Sequence, residues 1–251
     1  MRSLPPCLTV DVEDFYEGMG VLGHDVAAPP TGEPGIRALG RLLERRTARI
    51  TLFVVGRHAR AAGDALRSLA AAGHEIASHG SDHGRLPVER RALADWLRAG
   101  REMVEDVVGL PVRGFRSPRF DVPAGLELLE FREVIAHAGF SYVSDTARSG
   151  SSSPVAELPI ALRWHVPIGG GSYQRLLPRK VVASLTRGMQ PPAVLYYHSY
   201  DFGKELPSLR SARSPAVASQ LLGRARIVPT FEYLLDELGS QTCTEALDAV
   251  R

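Results

Sequence analysis

Three carboxylates, Asp11, Glu13 and Asp14, fall within four positions directly behind the apolar run Leu8-Thr9-Val10. Strands ordinarily give way to turn residues. Acids crowded at such a point are either a solvated loop or half of an active site whose partners lie elsewhere. Candidate partners exist. "SHGSDH" sets His79 and His83 four apart, the spacing that puts two imidazoles on one side of a single helical turn, facing one cation. Two neutral imidazoles do not complete a catalytic metal site. A third, anionic ligand is required, and "DVED" can supply both that ligand and a general base for an attacking water. "GFRSPRF" places Arg116 just after a strand, where a guanidinium can pair with a carboxylate and hold it ionised and oriented. "LYYHSYD" places His198 at the end of a hydrophobic strand, as a candidate general acid.

The elements that must position these residues alternate. A first strand candidate closes at Val10, and a Gly/Pro-rich stretch, "AAPPTGEPG", leads into a helix with Ile36, Leu39, Leu42 and Leu43 on one face. Residues 49–56, "RITLFVVG", form a continuous apolar run that reads as a strand buried on both sides. Helices are expected over 58–72, 88–108, 124–138 and 228–238, the first three stopped by Gly73, Gly109 and Gly139. Strands are expected at 74–80, at "VRGF", at 140–145 and at 192–202, with "RSGSSSPVAE" as a flexible loop. Strand–helix–strand alternation is the pattern of a parallel sheet with helical crossovers, open or closed into a barrel. Such folds place their sites at the ends of strands, where all the residues above fall.

Composition excludes several classes. A net charge of +2, with no basic stripe carrying interleaved aromatics, argues against nucleic acid. No run of 18 apolar residues is present, so no membrane span is expected. Charged residues arrive too early at the N-terminus for a secretory core, and Pro5 and Pro6 interrupt it, which points to the cytoplasm. Cys7 and Cys243 form no metal-binding spacing and are expected as two reduced thiols. "GGG" at 169–171 lacks the strand–GxxxxGK–helix context of a nucleotide loop.

Taken together, the motifs resemble the polysaccharide deacetylase group (NodB homology, carbohydrate esterase family 4), over about residues 8 to 202. "TVDVED" stands at the first motif, "SHGSDH" at the second with Gly80 in its Ser/Thr slot, "RSP" at the third, and Leu195 and His198 at the Leu-x-x-His of the fifth. "DVEDF", "HGSDH" and "IGGGSYQRLLP" (168–178) look more narrowly like the subgroup found beside exopolysaccharide loci. The resemblance implies a single α/β domain over 1–251, a distorted (β/α)7-type barrel, with a C-terminal helical segment at 213–239. It implies one divalent metal, usually zinc, with cobalt, nickel or iron(II) as substitutes.

Carried over by position, Asp11 matches the general base, His79 and His83 the imidazole ligands, Arg116 the arginine that orients the base, and His198 the acid that protonates the leaving amine. The amide N–H of Arg119 matches an oxyanion donor. The carboxylate ligand is Asp14 or Glu13: Val12 breaks the usual adjacent pair, residue identity leans to Asp14, and Asp-x-Asp spacing favours Glu13. Asp145 and Asp201 are rival candidates for tuning His198, and Tyr173 and Arg175 for contacting sugar or phosphate. The implied reaction is hydrolysis of an N-acetyl group from an N-acetylated amino sugar. Two alternatives stand beside it: hydrolysis of a non-sugar C–N bond, as in cyclic ureides and imides, and an inactive glycan-binding module.

Overall fold

The computed structural model describes residues 4–17, 32–146, 148–150, 152–161, 168–204, 206 and 215–250. Strand β1 (Cys7–Val12) is followed by α1 (Gly32–Leu43), β2 (Thr51–Val54), α2 (Gly56–Ala59), α3 (Gly63–Ala71), β3 (Glu75–Ser78) and α4 (Arg90–Val108). Then come β4 (Gly114–Phe115), a 3-10 turn at Pro118–Phe120, α5 (Leu128–His137), β5 (Tyr142–Val143) and β6 (Ala156–Glu157). The last third holds α6 (Gly171–Gln174), α7 (Arg179–Arg187), β7 (Val194–His198), a 3-10 turn at Ser199–Asp201, α8 (Pro215–Leu221), α9 (Ile227–Leu238) and α10 (Cys243–Ala249). Part of the Gly/Pro-rich stretch and the first two residues of the expected 213–239 segment lie outside the described residues. No helix among the described residues is long and apolar enough to cross a membrane.

All strand pairings are parallel, in the order β6-β5-β4-β3-β2-β1-β7. The curled sheet is a seven-stranded half-barrel, as the distorted (β/α)7 expectation required. Its two edges are bridged where Ile160 and Gly170 pair with Val194 and Tyr196. Side chains alternate along β1. Leu8, Val10 and Val12 join the large core between sheet and helices. Cys7 faces the barrel interior, with Phe53, Ala77, Tyr142 and Val194.

One end of that interior is plugged by α10, whose Cys243 and Ala246 pack into it. A Thr242–Glu245 capping box starts this helix. Glu75 holds it in place by accepting from Thr244 N (3.0 Å), Thr244 Oγ1 (2.6 Å), Thr51 Oγ1 (2.8 Å) and Tyr142 Oη (2.9 Å).

Local physics moved several expected boundaries. The 58–72 helix is two helices, because Ala62 leaves helical geometry (φ −88°, ψ 4°). The 124–138 helix begins only at Leu128, where Glu127 and Glu130 form a capping box; Gly125 upstream sits at φ 84°. Two residues of the loop "RSGSSSPVAE" form β6 instead, and Glu157 folds the preceding turn back by accepting from Ser149 N and Oγ. The largest correction concerns His79 and His83. They do not share a helical turn but sit on an irregular loop after β3. Gly80 turns that loop at φ 85°, and any Cβ there would lie 1.9 Å from the Trp96 ring.

Helix α4 supports the loop from outside, at a position that only glycine can occupy. A Cβ on Gly100 would meet the Gly80 carbonyl carbon at 2.4 Å and Ser81 N at 2.5 Å. Asp82 fastens the loop to the same helix by accepting from Trp96 Nε1 (3.2 Å). Gly100→Ala is therefore expected to destabilise the protein by about 1–3 kcal/mol, an overpacking cost. Urea denaturation measures that loss, and an unchanged midpoint would show that α4 does not press on the loop.

Candidate active site

The alternation that sends Cys7 into the barrel also sends Asp11 and, just past the strand, Glu13 to the same side. Asp14 has the opposite parity. Glu13 is 5% exposed and meets both imidazoles: Oε2 lies 2.8 Å from His83 Nε2 and 3.4 Å from His79 Nε2. One ligand atom from each of Glu13, His79 and His83 falls within 4.8 Å of the others, all three buried. Asp14, the acid that residue identity favoured, instead accepts from the Tyr16 amide (3.0 Å) and is not part of this cluster.

The donor set suits a divalent cation. His79 Nδ1 lies 2.9 Å from the Arg116 carbonyl oxygen. A carbonyl only accepts, so Nδ1 carries a proton, and Nε2 is the ring atom left to face Glu13 and a cation. His83 Nδ1 is buried without a hydrogen-bond partner among the described residues. Burial opposes the Glu13 carboxylate, yet His83 and His79 hold it ionised, well below the usual carboxylate range. Burial alone would likewise lower the His83 pKa, and Glu13 raises it instead. Two imidazoles and one carboxylate form the ligand set of a catalytic zinc site.

Beside this cluster, Asp11 is gripped by Arg116. Nη1 donates to Asp11 Oδ1 (2.6 Å) and Thr9 Oγ1 (2.8 Å), Nε to the Ser144 carbonyl (3.0 Å) and Nη2 to Ser144 Oγ (2.8 Å). The guanidinium also lies over the Phe53 ring at 4.0 Å. Arg116 is fully buried. Thr9 and Ser144 are parts of this grip that the motif reading missed; the signal is inward parity for both, and for Ser144 also its place just past the end of β5.

After Arg116 the chain makes its 3-10 turn with two successive non-glycine residues at positive φ, Arg119 (57°) and Phe120 (60°). Such conformations cost about 1–3 kcal/mol each and persist only where the surroundings enforce them. Phe120 is held edge-on to Tyr196 at 5.0 Å, and the Arg119 guanidinium pairs with Asp121.

On the opposite flank, β1 and β7 run in register, with Asp11 beside His198. The His198 ring stacks on Tyr200 (4.8 Å, 6°) and meets Tyr196 edge-on (5.7 Å). Its Nδ1 lies 3.4 Å from Asp201 Oδ2, and its Nε2 lies 3.8 Å from Glu13 Oε1. Burial disfavours a charged imidazole here, but Asp201, Glu13 and Asp11 outweigh it and push the His198 pKa up to about 9.

Of the two rival aspartates, Asp201 is therefore the one beside His198. Asp145 is engaged elsewhere, paired with Arg132 (2.9 Å) and accepting from Ser117 N (3.0 Å) behind the third motif. Arg175 is also occupied: its guanidinium donates to the carbonyls of Gln220 (2.5 Å) and Ser219 (2.7 Å), clamping α8. Tyr173 is 42% exposed.

Comparison with known proteins gives the geometry its context. Residues 27–143 match the family model "Polysaccharide deacetylase", and residues 135–248 match a domain of unknown function, DUF3473. The first match holds His79, His83, Arg116 and Arg119; the second holds His198, while Asp11 and Glu13 precede both. No curated protein matches the sequence.

Three solved structures share the fold. A candidate polysaccharide deacetylase from Mycobacterium smegmatis is 21% identical, with a TM-score of 0.64 over 100% of this chain and 92% of its own. Puue allantoinase is 14% identical, with a TM-score of 0.60 over 96% and 88%. A CE4 family pseudoenzyme from Bacillus anthracis, BA3943, is 14% identical, with a TM-score of 0.55 over 98% and 66%. One fold thus carries a candidate deacetylase, an allantoinase and a pseudoenzyme, so the fold alone does not select an activity. The family model matches a little under half of the chain, and the solved structures share its fold.

Proposed function

We propose that this protein is a metal-dependent N-deacetylase that releases acetate from an N-acetylated amino sugar. One observation carries the reading: the buried Glu13–His79–His83 cluster shares its rim with an arginine-held carboxylate, Asp11, and an aspartate-held imidazole, His198. A binding module has little use for that combination. Glu13, His79 and His83 would hold the cation, with zinc expected for a nitrogen-rich, borderline-soft set. When bound, it supplies Lewis-acid polarisation of the acetamide carbonyl and eases deprotonation of water.

The chain's own residues move the protons. Asp11, fixed by Arg116, accepts a proton from the attacking water. The Arg119 amide donates to the oxyanion that forms on the carbonyl oxygen. His198, kept protonated by Asp201, donates to nitrogen as the C–N bond breaks, because an amide anion cannot depart alone. Acetate and a free amino sugar result. The "DVEDF", "HGSDH" and "IGGGSYQRLLP" segments lead us to place the chain with the exopolysaccharide-locus subgroup, whose acetamido sugars are the first substrates to assay. The same proton transfers would open a cyclic ureide, so ureides belong in the same panel.

Purified protein is expected to carry or take up about one equivalent of divalent metal, as a single three-ligand site requires. A His79→Ala/His83→Ala variant should take up none. Failure of the wild-type protein to bind zinc, cobalt or nickel would overturn the hydrolase reading and leave the binding module.

With metal retained, Asp11→Asn and His198→Ala should each lower kcat by about 10²–10⁴-fold in an acetate-release assay, the usual worth of a positioned acid or base. Near-normal turnover in either variant removes that residue from its role. Arg116→Met should destabilise the fold by about 3–5 kcal/mol, because it leaves Asp11 as an uncompensated buried charge. Thermal and urea unfolding test this.

A further inference from the structure

We infer that Glu17 is a positioning residue for the metal centre, fixing His83 through its backbone rather than through its ring. The inference rests on the proposed role of Glu13, His79 and His83 as ligands, and it concerns what holds the third of them. The two imidazoles are not anchored alike. His79 is locked by its Nδ1–H donating to the Arg116 carbonyl (2.9 Å), whereas His83 Nδ1 is buried with no partner among the described residues. A ring without such a second hydrogen bond needs its backbone fixed if its other nitrogen is to meet a cation in a defined place.

Glu17 supplies that fix. It lies one short helical turn (15–17) beyond Glu13, and its side chain is only 9% exposed. Oε1 accepts from the His83 amide (3.1 Å) and pairs with the Arg57 guanidinium; Oε2 lies 2.5 Å from His58 Nε2. Glu17 follows β1, Arg57 and His58 open α2 directly after β2, and His83 follows β3. One carboxylate thus joins the ends of three neighbouring strands. The rest of the histidine loop is held by the same segment, since Gly56 N donates to Gly80 O (2.8 Å) and Arg57 N to Ser81 O (3.0 Å). Those contacts stop at Ser81. Asp82 is tied to Trp96 of α4, and Glu17 carries the constraint on to the His83 amide itself; its short helical turn follows directly on Glu13 and Asp14, so it links two of the proposed ligands.

Zinc affinity, read by chelator competition, and the cobalt(II) absorption spectrum test this on the full chain. Glu17→Ala should weaken zinc binding by about 10–100-fold, the usual cost of losing an outer-shell partner, and should alter the cobalt spectrum. Glu17→Gln keeps an oxygen for the His83 amide and should bind more tightly than Glu17→Ala. Glu75→Gln, at the plugged end of the barrel, controls for general loss of stability and should leave zinc affinity unchanged. Should Glu17→Ala fail to fold, hydrogen exchange at the His83 amide of the wild-type protein decides. Protection with and without zinc supports the anchor, and free exchange overturns it. Wild-type affinity and spectrum in Glu17→Ala overturn the inference while leaving the metal centre intact. A wild-type protein that binds no metal overturns both readings.

Discussion

The buried guanidinium of Arg116 is the interaction on which the site depends. It donates to Thr9 and Asp11 from β1, to Ser144 beyond β5, and lies over Phe53 from β2. Its own amide donates to Ser78 at the end of β3 (3.0 Å), and its carbonyl accepts from His79. Arg116 itself follows β4, so one residue touches the first five strands of the sheet. A cation with no exposure is tolerable only if its donors are satisfied and an anion stands close. Asp11 is that anion. The orientation of the Asp11 carboxylate and the protonation of His79 Nδ1 are therefore consequences of solving one burial problem.

The second half of the chain has a different task. Its strands are short: β5 and β6 hold two residues each, and the seam with β7 is made by isolated pairings at Ile160 and Gly170. What completes the domain there is side-chain burial rather than a continuous ladder. Helix α10 fills the barrel's far end, placing Cys243 beside Cys7. The neighbouring Cys243 and burial push the Cys7 thiol up, so it stays protonated, its Sγ donating to the Thr242 carbonyl (3.7 Å), and both cysteines are free. This plugged end carries none of the proposed chemistry. Its acid, Glu75, spends its oxygens on Thr51, Tyr142 and Thr244, and the opposite rim is left to hold the charged residues.

Much of this was legible in the sequence because strand ends are where a parallel sheet exposes its site. Asp11, His79, His83, Arg116 and His198 could each be placed at a strand end from apolar runs alone. Parity also bears on Glu13 against Asp14, where residue identity leans to Asp14 and the buried cluster holds Glu13. Residues two apart on an extended segment share a face, so the partner of Asp11 on the inward side is Glu13 and not its neighbour. Residue identity, the competing argument, carries no geometric information.

Other features were not legible for definite reasons. The four-residue spacing of the histidines suggested a helical turn, but Gly80 and the Trp96 ring, distant in sequence, impose a left-handed turn instead. Strand β6 is too short for a period to show, and the clamp by Arg175 depends on carbonyls 44 and 45 positions away.

Three buried acids at one rim pose an electrostatic difficulty, since like charges in a dry site raise one another's pKa and blur their roles. The fold eases this by setting a cationic or titratable partner against each acid: Arg116 against Asp11, His83 against Glu13, and His198 against Asp201. The permanently charged partner stands beside the proposed base, which must remain ionised through the reaction. The titratable partners stand at the proposed ligand set and beside the proposed acid, where charge would have to change. Exchanging these pairings would defeat both tasks. An arginine beside Glu13 would compete with a metal, and a titratable imidazole in the place of Arg116 would lose its charge where Asp11 needs a fixed one. The separation of roles is therefore written in which cation faces which carboxylate, and the parity of β1 enforces it by turning Asp11 and Glu13 inward two residues apart, each towards a different partner.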